Sequence, residues 1–432
     1  MNRYICKQSQ AFQQKISYLL PGGIHYNFLT SNMDAPLYFR CAQKSRLWDL
    51  DGNEYLDLSM KFGTAFLGHN PVCVSEAVRM EKPPPENSPL VWDVCQLLSQ
   101  FISWADSFRF GLSGSEMVYN ALCLARRYTG KKTILRFNGC YHGTAGGMWG
   151  NSDEVSQDSL LDNHILLIPW NDSNALQETV RQQKDKLAAI ITEPICVNGG
   201  SIMPEPGYLE LMRQLCSDYN IVLIFDEIIT GIRKGMGVQA DYQVVPDLSL
   251  WGKCITNGFL PTTVLAGKKE LMDLYAENKL VYGGTYNGFT LGLSVMKAVL
   301  TYFLKSYPTR VDVMKKRMLK LHNLFKQAAQ VTGIPLVIQG PVSYSSFHVC
   351  NNLVRHYEAL TKDQLLKNSI LRSCLQKYGI ITAPFSRLYP NLELTDKDLE
   401  FFSTRIYAAL EDAAAIYHYN KINLDRESRC TN

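Results

Sequence analysis

The sequence has 432 residues with 44 basic and 40 acidic side chains, and a formal net charge of +4 is too weak a bias to imply nucleic acid or a membrane surface as partner. Its apolar fraction of 46% and charged fraction of 19% are those of a globular protein, long enough for one large domain with a smaller companion. Twelve cysteines without a C-x-x-C pair, no leader pattern and no apolar run near the roughly 18 residues of a membrane span point to a cytoplasmic protein with no disulfide framework and no metal site.

Along the chain, "RLWDLDGNEYLDLS" (Arg46 to Ser59) reads as a hairpin with Asp51-Gly52 at its turn. "GLSGSEM" (Gly111 to Met117) precedes a helix whose Ala121, Leu124, Ala125 and Tyr128 form an apolar face, so the Gly114 and Ser115 amides sit where a helix N-terminus can meet a phosphate. Read alone, a serine and a glycine there are ordinary capping. "LAAIIT" (Leu187 to Thr192) has strand character, "YLELMRQLCSDY" (Tyr208 to Tyr219) has helical spacing, and Ile221 to Phe225 returns as an unalternating apolar strand. This βαβ order predicts a parallel sheet wrapped by helices, with ligands gathered at the carboxyl ends of its strands.

Asp226 and Glu227 stand at one such end, where carboxylates in isolation cap the next helix or face solvent. "PDLSLWGKCITNG" (Pro246 to Gly258) predicts a further short strand ending at Lys253, with Gly252 and Gly258 leaving room for a close ligand. Beyond Thr309 the texture changes. Val311, Met314, Met318, Leu321, Phe325 and Ala328 mark one face of a long helix, and Thr309 and Asp312 are spaced like a capping box. The expected division is residues 1–66 as the N-terminal part of a small domain, 67–300 as the large domain and 301–432 as the C-terminal part of the small one.

An aspartate and a lysine on adjacent strand ends suit a pyridoxal cofactor, the amine condensing with its aldehyde and the carboxylate keeping its ring nitrogen protonated. At "FDEIITGIR" and "PDLSLWGK" the sequence resembles the class III aminotransferases, pyridoxal-phosphate enzymes of fold type I. The resemblance runs from "PGG" at Pro21 to "ITAPFSRLYPNLELTDKDLE" (Ile381 to Glu400). It implies an α/β fold in which a large, mostly parallel-sheet domain carries the cofactor and both chain ends build a smaller α+β domain. By the same resemblance Lys253 holds pyridoxal 5′-phosphate, Asp226 pairs with the ring nitrogen and Ile228 packs on one ring face. Gly114 and Ser115 meet the phosphate, Tyr141 in "CYHGTAGG" stacks with His142 beside it, and Glu193 in "TEPICVNGG" lies on the ring-oxygen side. Thr285 in "GGTYNG" reaches the phosphate of a neighbouring subunit, which implies a homodimer. Arg387 in "TAPFSRLYPN" grips a substrate carboxylate or is a surface cation, with Trp92, Trp149 and Tyr389 as flanking aromatics.

Departures from the family pattern carry information as well. Leu112 replaces the asparagine of the phosphate loop, "GFTL" (Gly288 to Leu291) replaces Gly-Asn-Pro, and "ITNGFLP" (Ile255 to Pro261) replaces a triple glycine. Asn198 stands where ornithine- and aminobutyrate-type members keep a glutamate that neutralises a gating arginine, which argues against those activities. The overall pattern is nearest the glutamate-semialdehyde aminomutase branch, yet "PGGIHYNFL" (Pro21 to Leu29) lacks that branch's Asn-Ser-Pro-Val-Arg run. The expected activity is therefore an aminotransferase moving an amino group from an amino acid donor to a carbonyl acceptor. The alternatives are an isomerase on the same scaffold and, more remotely, a non-catalytic cofactor-binding protein.

Overall fold

The computed structural model describes residues 3–25, 36–80, 88–144, 148 and 164–430. The predicted hairpin is present: β1 (Phe39–Gln43), β2 (Arg46–Asp49) and β3 (Glu54–Leu58) form an antiparallel sheet, with Leu47 opposite Tyr55. The strands β4 (Ser107–Gly111), β5 (Thr133–Phe137), β6 (Ile165–Ile168), β7 (Leu187–Thr192), β8 (Val222–Asp226), β9 (Leu248–Trp251) and β10 (Thr263–Gly267) form the large sheet in the order β4-β10-β9-β8-β7-β5-β6. The pairs from β9 through β6 are parallel, while β10 runs antiparallel to both its neighbours. Every residue of β5, β7, β8 and β9 is buried, which is why these segments lack the two-residue alternation of a half-exposed strand.

Helices close both faces of this sheet. The Gly114–Thr129 helix buries Ala121, Leu124 and Ala125 against β7, β8 and β9, as its spacing predicts, but Tyr128 at the end of that row is 39% exposed. The Tyr208–Asp218 helix buries Leu209, Met212 and Leu215 on the opposite face, with Phe137, Ile190, Leu223 and Phe225.

Later strands are β11 (Leu336–Gln339), β12 (Ser345–Val349), β13 (Ile380–Thr382) and β14 (Arg387–Leu388). β13 joins the first sheet beside β3, in parallel register with Ile380 opposite Leu56, so the two ends of the chain share one sheet. All six residues of the expected face of the Thr309–Val331 helix are buried. Its first turns (Val311, Met314) pack with Leu300, Phe303 and Trp251, and its later turns (Met318, Leu321, Phe325, Ala328) pack with Leu56, Leu58 and Phe347. One helix thus links two cores. The capping box expected there is absent: the N-cap is Pro308, and no side chain caps the helix, because Thr309 is already its first helical residue. Among the described residues no helix is long and apolar enough to cross a membrane.

Candidate active site

A cavity of about 420 Å³ opens over the carboxyl ends of β5, β7, β8 and β9, where the sheet topology collects strand-end side chains. Lys253, Asp226, Ile228, Gly114, Ser115, Tyr141, His142 and Glu193 all line it. Eight of the ten residues singled out from the sequence therefore meet in one place, although they span 139 positions from Gly114 to Lys253 (253 − 114).

Asp226 is the last residue of β8 and is buried. Its Oδ2 lies 2.8 Å from His142 Nδ1, and its Oδ1 accepts from the Ile228 N–H at 3.2 Å. His142 is buried as well, and its Nε2 has no hydrogen-bond partner among the described residues. Lys253 follows β9 by two residues, and its amine makes no hydrogen bond or ion pair with another described residue. Burial first, then the charge of Arg387, lowers its pKa to about 8 against the opposing pull of Glu193 and Asp226. Its backbone has φ +45°, in the left-handed region, at a cost of roughly 1–2 kcal/mol for a side-chain-bearing residue. Strain at a strand-end lysine is a mark of a site held in place by its surroundings.

The Ile228 side chain reaches between two glycines. A Cβ at Gly252 would lie 2.8 Å from Ile228 Cδ1, and one at Gly114 would lie 3.5 Å from it. Gly252 therefore leaves the room that lets Ile228 and Lys253 share one wall. Ser113 caps the Gly114–Thr129 helix by accepting from the Glu116 N–H at 3.2 Å, and the Glu116 carboxylate takes the Leu112 N–H at 2.8 Å. The Gly114 and Ser115 amides face no intrahelical acceptor at that end, which suits an anion. Ser115 Oγ accepts from the Thr144 N–H at 3.1 Å, and at Gly143, with φ +82°, a Cβ would lie 2.9 Å from Ser115 Cα. The helix start and the Tyr141–Thr144 turn are thereby locked together.

Glu193 lines the cavity, but its carboxylate is already occupied. It accepts from the N–H groups of Tyr141 at 2.8 Å, Val197 at 3.0 Å and Asn198 at 3.2 Å, and from Asn198 Nδ2 at 2.8 Å. Burial pushes it above the usual carboxylate range, against the pull of His142 and these donors. Its physical role is to set the Tyr141 backbone and Asn198.

Two residues lie apart from the cavity wall. Thr285 is exposed and belongs to the Gly283–Gly288 segment outside it. Arg387 is 4% exposed, so it is no surface cation: Nε donates to the Pro384 carbonyl at 2.9 Å and Nη1 to Asn198 Oδ1. Of the suggested aromatic flank, Tyr389 lies beside Arg387 and Trp92 does not. Trp92 is 67% exposed on the Leu90–Phe101 helix and Trp149 falls outside the described residues, whereas Tyr389 is buried beside two guanidinium groups, 5.1 Å from Arg233 and 6.0 Å from Arg387.

Residues the sequence reading missed hold the floor of the site. Met60, Lys61, Phe62 and Gly63 are four consecutive left-handed residues, with φ of +42°, +52°, +58° and +82°. Asp57 Oδ1 takes the Ser59 and Met60 N–H groups at 2.7 and 3.0 Å, and Lys61, which lines the cavity, donates to the Gly258 carbonyl at 2.8 Å. The arginine of "TGIR", Arg233, donates to the carbonyls of Gly63, Ser343 and Pro390 and lies over the rings of Phe66 and Tyr389. Only the arginine had a signal in the sequence, through its motif.

Comparison with known proteins agrees with this geometry. Residues 30–335 match the family model described as aminotransferase class-III. Glutamate-1-semialdehyde 2,1-aminomutase 2 of an Exiguobacterium species is 31% identical over 417 residues, covering 91% of this chain and 94% of the relative. Among solved structures, an omega-transaminase from Sphaerobacter thermophilus superposes with a TM-score of 0.84 at 24% identity, covering 94% and 97% of the two chains. A glutamate-1-semialdehyde-aminomutase variant from Pseudomonas aeruginosa, in complex with PMP, superposes with a TM-score of 0.82 at 20% identity, covering 94% and 95%. The fold is that of these transaminases, and the chain is an enzyme of the class III aminotransferase family.

Proposed function

We propose that this chain binds pyridoxal 5′-phosphate in the Lys253 cavity and moves an amino group on a small amino acid. The observation that carries the reading is the unpartnered Lys253 amine in one cavity with the buried Asp226 carboxylate. When bound, the cofactor supplies an aldehyde that takes up an amine and a ring that draws electrons. Asp226 holds a proton at the ring nitrogen, with His142 Nδ1 fixing the carboxylate. Ile228 and Tyr141 provide apolar and aromatic faces, and the amides of Gly114 and Ser115 point toward the phosphate. A Lys253 amine lowered to about 8 is neutral in about a tenth of molecules at pH 7, far more than an ordinary lysine, so it can take a proton at Nζ and return it. Arg387 orients a substrate carboxylate, and Thr285 serves the phosphate of a partner subunit in a homodimer.

The relatives favour transfer within one molecule over the transfer between two molecules that the missing Asn-Ser-Pro-Val-Arg run suggests. The sequence relatives, at 29% to 33% identity, are named glutamate-1-semialdehyde 2,1-aminomutases. On this reading the substrate is an amino aldehyde whose amine moves to the neighbouring carbonyl carbon. Transamination is the second reading. It is favoured by Arg387, whose neutral partner Asn198 leaves its charge free for the carboxylates of successive donor and acceptor molecules. Glutamate-1-semialdehyde supplied alone to the loaded enzyme separates the two. Isomerised product without any released keto acid supports the aminomutase, whereas turnover only with a second carbonyl compound supports the aminotransferase.

A further inference from the structure

A second cavity, of about 290 Å³, lies beside the first, and Asn198 stands in the wall of both. Its long wall is one face of the Lys362–Lys377 helix, where Lys362, Leu365, Ser369 and Arg372 follow at helical spacing. The opposite wall is His348 of β12 and the Pro384–Ser386 turn. No described residue of the lining is acidic, while Lys362 and Arg372 are both cationic.

Arg372 Nε is buried without a hydrogen-bond partner, and the side chain forms no ion pair with another described residue. Burial and the charge of Arg387 both act against its proton, with no carboxylate compensating. Among the described residues Arg387 itself is hydrogen-bonded to neutral acceptors, the Pro384 carbonyl and Asn198 Oδ1. Two guanidinium groups thus influence one another in a buried region with no ion pair to a carboxylate among the described residues, an arrangement that is costly unless an anion arrives. His348 is part of the wall rather than a free donor, since Nε2 lies 3.0 Å from the Gly200 carbonyl and Nδ1 3.5 Å from Asn368 Nδ2.

We propose that this second cavity is an anion-binding site for a carboxylate or phosphate group, with Arg372 as its guanidinium grip. The planar fork of an arginine matches both groups, and the volume admits one of them with a short stem. Two sources share this chemistry: a free anion, or the far acidic end of the substrate. The second source rests on the Lys253 cavity being the substrate site.

The test is calorimetric titration of inorganic phosphate, and separately of succinate, into protein loaded with pyridoxal 5′-phosphate and reduced with borohydride, so that the first cavity is filled. Incorporated label, read by mass, reports on the Lys253 reading independently of the titration. If no label is taken up, that reading fails and the titration is run on the chain as isolated. Saturable binding of one anion per chain is expected, weakened at least about tenfold in Arg372→Gln and partly restored in Arg372→Lys. Ser369→Asp, which places a carboxylate in the cavity while keeping Arg372, should abolish binding, with thermal unfolding confirming that each variant is folded. On the loaded protein without reduction, competition between the anion and the amino substrate assigns the site to the substrate's far end, and independent binding assigns it to a free anion. Equal phosphate and succinate binding in the wild type and Arg372→Gln, or no binding by the wild type, would overturn the proposal.

Discussion

His142 Nδ1 lies 2.8 Å from Asp226 Oδ2 in a region where both side chains are buried, so the carboxylate has a fixed orientation before any ligand arrives. A charge-assisted hydrogen bond of this kind is worth on the order of 1.5–3 kcal/mol. His142→Phe, which keeps an aromatic ring but drops the bond, should weaken pyridoxal 5′-phosphate binding about ten- to a hundredfold by equilibrium titration. Tyr141→Phe keeps its stacking face and loses only a hydroxyl, so its effect should be several-fold smaller. Equal losses in the two variants would mean that His142 acts only as an aromatic wall.

Lys253 and Arg387 are coupled through charge. Burial, then Arg387, holds the lysine down to about 8, so covalent uptake of pyridoxal 5′-phosphate should speed up with pH and level off above that value. Arg387→Leu removes a lowering influence, raises the Lys253 pKa and moves the profile to higher pH, while Arg387→Lys keeps the charge and leaves it near the wild type. Stopped-flow absorbance across pH 6 to 10 reads the shift, and superimposable profiles for wild type and Arg387→Leu would remove the coupling. The same Leu variant should weaken the half-reaction with a carboxylate-bearing donor at least about tenfold.

Glu227, beside Asp226, is buried and accepts from the Val238 N–H at 2.7 Å and from the Thr230 hydroxyl. Burial raises its carboxyl from 4.5 to about 7. The folded chain therefore holds this proton through a window in which the unfolded chain has lost it, and stability falls as pH rises from about 4.5 to about 7. The whole contribution is roughly 3 kcal/mol, on about 1.4 kcal/mol per pKa unit. In Glu227→Gln the urea midpoint should change less between pH 5 and pH 8 than in the wild type. Parallel pH dependences would show that Glu227 does not titrate in that window.

Much of the site was legible because its residues sit at strand ends, and strands buried on both faces leave an unalternating apolar run that ends in view. Asp226 after "VLIF" and Lys253 after "LSLW" are of this kind. What stayed hidden depends on distant pairing. Nothing local tells Ile380 to lie beside Leu56, or Asn198 to receive Arg387, since each contact joins segments far apart in the chain. The left-handed run at Met60–Gly63 was hidden for another reason: three of its residues carry side chains that disfavour that backbone, and beyond the local turn made by Asp57 it is held by Arg233 from a distant segment. Trp92 shows the limit of composition as a guide, because it has the right chemistry for a pocket wall and is exposed, while Tyr389 does lie beside Arg387.

Thr285 is exposed and apart from the cavity of its own subunit. On the proposed reading it serves a partner's phosphate, so sedimentation at micromolar concentration should show a dimer. Thr285→Val should raise the cofactor dissociation constant severalfold with little change in the melting temperature of the cofactor-free protein. A fully active monomer would contradict the shared site.

The most direct measurement is borohydride reduction of the protein after incubation with pyridoxal 5′-phosphate, followed by peptide mapping. One label per chain is expected, on the peptide carrying Lys253, with the yellow colour lost on reduction and no label taken up by Lys253→Ala. A label on Lys61 or any other lysine, or a protein that stays colourless and unlabelled, would contradict the assignment of the cavity.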